Sequence, residues 1–216
     1  HILITHDHAD HIKSVGSISD SFNIPVYSTK AVHEGIAKNW CVKKKVSPNQ
    51  VRYVEKGKTQ QIGDFTVTPF AVPHDSSDCV GYCVQCEGIT FTLVTDCGHV
   101  TEEICAFVAK ANYLVIEANH EVEKLMAGPY PLYLKERITS QIGHLSNAEC
   151  ARTIVENATE NLKHVWLCHL SDENNHPELA RIAVTSLMES YGLRAGVDFI
   201  VEVLRRKIPS EIYDLK

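Results

Sequence analysis

The 216-residue chain is 44% hydrophobic and 22% charged, which is the composition of an ordinary globular protein and not of a disordered or fibrous one. Its formal charge of −6 excludes a simple polycation that coats nucleic acid, but not a phosphate-binding cleft in which divalent ions supply the positive charge. No run approaches the roughly 18–20 apolar residues needed to span a bilayer, so no membrane partner is expected, and the length suits a single domain over residues 1–216.

In chain order, Ile2-Leu3-Ile4 reads as a buried strand, and Ile12, Val15 and Ile18 continue at helical spacing, predicting a helix over residues 10–22. Between them lies Thr5-His6-Asp7-His8-Ala9-Asp10-His11. Three imidazoles and two carboxylates where a strand gives way to a helix suit zinc, manganese or iron, in one site or in two. Such a strand is seldom the first of its sheet, so the sequence is expected to be N-terminally incomplete.

Residues 24–27 predict a short strand, and Ser28 or Thr29 caps a helix through about Asn39. Lys43-Lys44-Lys45 is a basic run in a loop, read as a solvated tip or as a phosphate attractor. From Val51 the pattern turns to strands, at residues 51–54, 59–62, 65–72, 79–86 and 89–95, the last two forming a hairpin around Glu87-Gly88. A helix over 101–110 opens on Thr101 with Glu102 and Glu103 in its first turn. A buried strand at 113–117 follows, then helical pieces over 121–139 broken by Gly128-Pro129 and Pro131. Ser146-Asn147-Ala148-Glu149 fits a capping box at the head of a helix to about residue 160. A strand at 165–168, a helix at 177–191 and a strand at 199–204 complete the chain.

Eight cysteines are scattered through strand-like and helix-like segments. In a chain with a real core this favours free thiols in a reducing cytoplasm over a disulfide framework. Cys83-Val84-Gln85-Cys86 is a CxxC inside a strand pattern and lacks a second pair.

The remaining ligand-type residues fall where strands end. His74 follows the 65–72 strand, Asp96 the 89–95 strand and His169 the 165–168 strand, while His144 precedes the capped helix in Gly143-His144-Leu145-Ser146. They converge if those strands share one sheet edge, where the functional loops of layered α/β folds gather.

This pattern resembles the metallo-β-lactamase fold of dinuclear hydrolases. Val72-Pro73-His74-Asp75, Thr95-Asp96-Cys97-Gly98, Glu117-Ala118-Asn119-His120-Glu121, Gly143-His144-Leu145-Ser146-Asn147 and His169-Leu170-Ser171-Asp172-Glu173-Asn174-Asn175 resemble the YycJ/WalJ branch of 5′→3′ exodeoxyribonucleases, related in fold to RNase Z. The resemblance implies a four-layer αββα sandwich lacking its N-terminal strands. It implies two divalent ions (Zn, Mn or Fe), one held by His6, His8 and His74, the other by Asp10, His11 and His169, with Asp96 bridging. It further implies a metal-bridging hydroxide as nucleophile, Asp10 helping to position it, and His144 contacting the scissile phosphate and protonating the leaving oxygen.

Glu117 is a candidate partner for the far nitrogen of a ligand histidine. Asn119 and His120 are candidates to line the cleft or cap the strand end, and Ser171 and Asn174 to hold the loop or touch phosphate. The expectation is a cytoplasmic hydrolase, specifically a nuclease acting on DNA as a 5′→3′ exonuclease. The alternatives are a hydrolase of a small ester, thioester or lactam, and a non-catalytic binding module on the same fold.

Overall fold

Parallel and antiparallel pairing sorts the strands into two sheets of unequal size. The computed structural model describes residues 1–216. In order it contains β1 (Ile2–Leu3), α1 (Ala9–Ile12), α2 (Val15–Phe22), β2 (Val26–Ser28), α3 (Lys30–Lys38), a 3₁₀ turn (Pro48–Gln50), β3 (Val51–Tyr53), β4 (Gln60–Ile62) and β5 (Phe65–Ala71). There follow β6 (Val80–Cys86), β7 (Ile89–Val94), α4 (Glu102–Val108), β8 (Tyr113–Glu117), α5 (Val122–Ala127), α6 (Leu132–Ile138), α7 (Asn147–Asn157), β9 (His164–Cys168), α8 (Pro177–Ser190) and β10 (Ile200–Val203). The small sheet has order β1-β2-β3 and is all parallel; the large one runs β10-β9-β8-β7-β6-β5-β4.

Three apolar clusters define the layers. Ile12, Val15, Val32 and Ile36 pack the first helices onto Ile4 and Val26 of the small sheet. Val54, Ile62, Val67, Val80 and Tyr82, with Leu3 and Tyr27 against them, fill the space between the sheets. A cluster of 24 buried residues, including Leu114, Ile116, Ile154, Leu167 and Val184, joins the large sheet to α4, α7 and α8. Helices therefore cover the outer face of each sheet, giving the αββα sandwich.

The sheet pairing fixes where the strands end. β5 is antiparallel to β6 and β6 to β7, while β7, β8 and β9 are mutually parallel. The C-termini of β5, β7, β8 and β9 consequently lie on one edge. The end of β1 is pinned to that region by Val80 N–H donating to Thr5 O (3.0 Å) and by Tyr82 Oη and Ser28 Oγ donating to Ile4 O (2.7 and 2.8 Å).

The expected continuous helix over 10–22 is instead two helices, α1 and α2, divided at Lys13-Ser14, with Ser14 outside helical geometry (φ −107°, ψ 1°). The break lets α2 lay Gly16 against the loop after α3, so closely that a Cβ at 16 would meet Lys44 O at 1.9 Å. The capping box is present, with Ser146 Oγ accepting from Glu149 N–H and the Glu149 carboxylate accepting from Ser146 N–H. Thr29 and Thr101 cap α3 and α4. All eight cysteines are free, and none of the helices is long and apolar enough to cross a membrane.

Leu114 lies fully buried in the large cluster. Leu114→Ala should lower unfolding free energy by roughly 2–5 kcal/mol through lost transfer energy and the cavity left behind, read as a lower urea midpoint with an unchanged slope.

Candidate metal centre

Four loops at the shared sheet edge bring seven ligand-type side chains together. His6 and His8 come from the turn between β1 and α1, Asp10 and His11 from α1 itself, His74 from the loop after β5, Asp96 from the end of β7 and His169 from the end of β9. Of the four non-glycine residues at positive φ, two are Asp96 (φ 53°) and His169 (φ 55°). Left-handed backbone at such residues is disfavoured and persists where the surroundings enforce it, most often at functional sites.

The side chains crowd into two sets, His6, His8 and His74 and then Asp10, His11 and His169, with Asp96 between them and a third set of His6, His11 and Asp96 overlapping both. In the first, His8 Nδ1 lies 3.2 Å from His74 Nε2, and Asp96 Oδ1 is 3.6 Å from His74 Nε2 and 3.8 Å from His6 Nε2. In the second, His11 Nε2 is 3.6 Å from Asp10 Oδ2 and 3.4 Å from Asp96 Oδ2, and His169 Nε2 is 3.8 Å from Asp10 Oδ2 and 3.4 Å from Asp96 Oδ1. Most of these separations are too long for good hydrogen bonds. They fit ligands sharing an ion, since two donors bound tetrahedrally at about 2.0–2.2 Å stand roughly 3.3–3.6 Å apart.

In four of the five histidines the nitrogen facing away from the centre is occupied, which leaves the other one turned inward. His6 Nδ1 pairs with Thr5 Oγ1 (3.0 Å), His8 Nε2 with Asp75 O (3.1 Å), His74 Nδ1 with Gly143 O (3.0 Å) and His169 Nδ1 with Glu117 Oε1 (2.7 Å). Such contacts fix the ring orientation of metal-binding histidines. His6 Nε2 is buried without a hydrogen-bond partner, which is costly unless a cation takes its lone pair. Burial, then the neighbouring His11, His74 and His8, push the His6 pKa down to about 2, so its ring is neutral and able to ligate. Around His169 the balance reverses: burial opposes protonation, but Asp10, Glu117 and Asp96 outweigh it and raise its pKa to about 10. Three carboxylates thus converge where positive charge is favoured, and the donor set fits divalent ions.

Glu117, at the end of β8, holds these parts together. It is fully buried and accepts four hydrogen bonds. Oε1 takes His169 Nδ1 and His144 Nδ1, both at 2.7 Å; Oε2 takes the N–H of Cys97 (2.9 Å) and of Leu145 (3.2 Å). Burial works against the ionised carboxyl, yet the bonds from His144 and His169 hold its pKa well below the usual range. His144 sits in a loop that requires Gly143, because a Cβ there would meet Ile138 O at 2.1 Å. Its ring is 5.3 Å from that of His169 and 5.0 Å from that of His74. Burial lowers the His144 pKa, but Glu117 more than offsets this and the net shift is upward.

The other sequence candidates act on the backbone. Asn119 Nδ2 donates to His169 O (3.0 Å), and Asn119 O accepts from Ser171 N–H (2.8 Å). Ser171 Oγ accepts from Asn174 N–H (3.1 Å), and Asn174 O from Glu121 N–H (2.9 Å). His120 is buried, and its carbonyl receives Asn147 N–H (2.8 Å). Asn119, Ser171 and Asn174 build the turn that carries His169, whereas His120 ties the end of β8 to the head of α7.

Two contacts escaped the sequence. Arg137 in α6 grips Asp75 with Nε (2.5 Å) and Nη2 (3.1 Å), bracing the loop that touches His8. Asn39 Nδ2 donates to Asp7 O (3.1 Å), while the Asp7 carboxylate turns away to Ser77. Both link segments far apart in the chain, and neither has a local spacing signal.

Residues 1–169 match the Beta-lactamase superfamily domain. The chain belongs to that superfamily. It is 33% identical to exodeoxyribonuclease YycJ of Bacillus anthracis over 215 residues, covering 98% of this chain and 79% of the relative. It is 36% identical to exodeoxyribonuclease WalJ of Streptococcus pneumoniae over 200 residues, covering 93% of this chain and 74% of that one. Among solved structures, the metallo-beta-lactamase fold protein YhfI from Bacillus subtilis superposes with a TM-score of 0.67 at 18% identity, covering 94% of this chain and 73% of that chain, which shows the shared fold. The chain is therefore a metal-dependent hydrolase of the metallo-β-lactamase fold.

Glu117→Gln replaces one acceptor oxygen by an NH₂ facing donors. It should weaken metal affinity by roughly 10–100-fold, measured by metal titration on protein whose circular dichroism is native. An unchanged affinity would remove Glu117 from the account.

Proposed function

We propose that the centre performs phosphodiester hydrolysis on DNA, as a 5′→3′ exonuclease working in the cytoplasm. His6, His8 and His74 would hold one divalent ion and Asp10, His11 and His169 the other, with the Asp96 carboxylate between the two sets. Zinc, manganese and iron all suit this donor set. When bound, two such ions supply Lewis-acid activation of water and stabilise charge on the phosphoryl oxygens.

The chain's own residues do the rest. Asp96 and Glu117 fix the relative placement of the β7 and β9 ends. Asp10, more than half exposed and 3.8 Å from His169 Nε2, stands at the mouth of the centre, where it accepts a hydrogen bond from the attacking water. His144 has Nδ1 committed to Glu117, so Nε2 on the far side of the ring is free to give a proton to the leaving sugar oxygen. A poor alkoxide leaving group needs such an acid.

His144 is the observation that carries this reading: an imidazole packed between two ligand histidines and held by the carboxylate that holds one of them. DNA is supported by the names of the relatives, both exodeoxyribonucleases.

The protein with Mn²⁺ or Zn²⁺ should degrade 5′-end-labelled DNA, and Asp96→Ala should lose both bound metal and cleavage. His144→Ala should keep its metal but turn over roughly 10²–10⁴-fold more slowly. Loss of metal in that variant would make His144 a ligand. Rapid hydrolysis of small esters or lactams, with no cleavage of nucleic acid, would overturn the proposal.

A further inference from the structure

Trp40 is 83% exposed, although the residues on its C-terminal side, Cys41 and Val42, are buried among Ile12, Val15 and Ile36. The fold thus has apolar space at this loop and fills it with smaller side chains, leaving the largest in water. An exposed indole on a well-anchored loop is not a default of folding.

The loop is held on several sides. Asn39 Oδ1 accepts Cys41 N–H (3.1 Å), Lys45 Nζ donates to Asn39 O (2.6 Å), Lys44 pairs with Asp20, and Gly16 packs on the Lys44 carbonyl. Asn39 also donates to the carbonyl of Asp7, between His6 and His8. Trp40 is therefore one residue, about 3.8 Å of chain, beyond the group that touches the metal-binding turn.

Charge marks the same place. Residues 38–45 (Lys-Asn-Trp-Cys-Val-Lys-Lys-Lys) hold four lysines and no acid in a chain of net charge −6. Lys44 and Lys45 are engaged as above, whereas exposed Lys43 has Nζ 5.7 Å from the Trp40 ring centroid. An exposed indole with a lysine cation over one side of its ring is a combination on which single-stranded nucleic acid can stack: the ring takes a base of any identity on its other side and the cation the adjoining phosphate.

We propose that Trp40 and Lys43 form a stacking platform for single-stranded DNA at the flank of the metal centre, binding the strand in a sequence-tolerant way as its end enters. This rests on the nuclease reading of the centre. The platform favours single strands because the interior bases of a duplex are stacked on both faces, and only its terminal pair has a face open to the indole.

The test uses a nuclease-resistant phosphorothioate oligonucleotide with a fluorescent label, read by anisotropy, together with intrinsic tryptophan emission. The chain has two tryptophans, and the other, Trp166, is 4% exposed, so quenching of solvent-exposed emission reports Trp40. Single-stranded oligonucleotide should quench this emission to saturation, and a duplex whose two ends are closed covalently should not. Trp40→Ala should raise Kd roughly 5- to 150-fold, and Trp40→Phe should recover most of that loss. Lys43→Ala should reduce the slope of log Kd against log salt by about 0.7.

A protein that binds and cleaves DNA with emission unquenched and Kd equal in Trp40→Ala overturns the platform and leaves the nuclease reading standing. A protein that neither binds nor cleaves DNA overturns both. Equal quenching by the end-closed duplex overturns the single-strand selectivity. A Trp40→Ala variant that changes oligomeric state and not Kd makes the indole a protein contact and also overturns the platform.

Discussion

One buried carboxylate organises this molecule. Burying Glu117 costs several kcal/mol of lost hydration, and only a full set of donors offsets it. The donors are the backbone beside Asp96, the backbone beside His144, and the rings of His144 and His169. These four donors come from three segments, so satisfying one charge aligns three loops. The strand that delivers Glu117, β8, lies between β7 and β9, the only place from which it reaches both neighbours' ends.

A second constraint comes from chain direction. Because β5, β7, β8 and β9 run the same way, their ends meet on one edge, and the left-handed backbone at Asp96 and His169 turns those side chains inward. Conformational strain and the unpartnered nitrogen of His6 are both unfavourable in the isolated chain. Both make sense in a scaffold whose charge and donor balance closes when cations join the histidines.

Much of this was legible in the sequence, for local reasons. Alternation and turn residues placed His74, Asp96 and His169 after strands, and the structure has them there. The Ser146 box is local chemistry, and so it was readable. The break at Ser14 was not, because the backbone that Gly16 packs against, at Lys44, is far along the chain and leaves no local signal. Glu117 could be read as a partner for one histidine, but its service to two rings and two backbone groups needed the topology. Arg137 against Asp75 and Asn39 against Asp7 are tertiary pairings with no periodicity behind them. The Lys43-Lys44-Lys45 run looked uniform, whereas the fold gives its members different partners.

The central claim is that seven side chains form one two-ion centre joined through Asp96. Electron paramagnetic resonance of the Mn²⁺-loaded protein, with metal counted per chain, tests it directly. Two ions per chain with an exchange-coupled spectrum are predicted, since a shared carboxylate holds such ions roughly 3.5–4 Å apart. One ion per chain, or two ions giving only uncoupled signals, would contradict it.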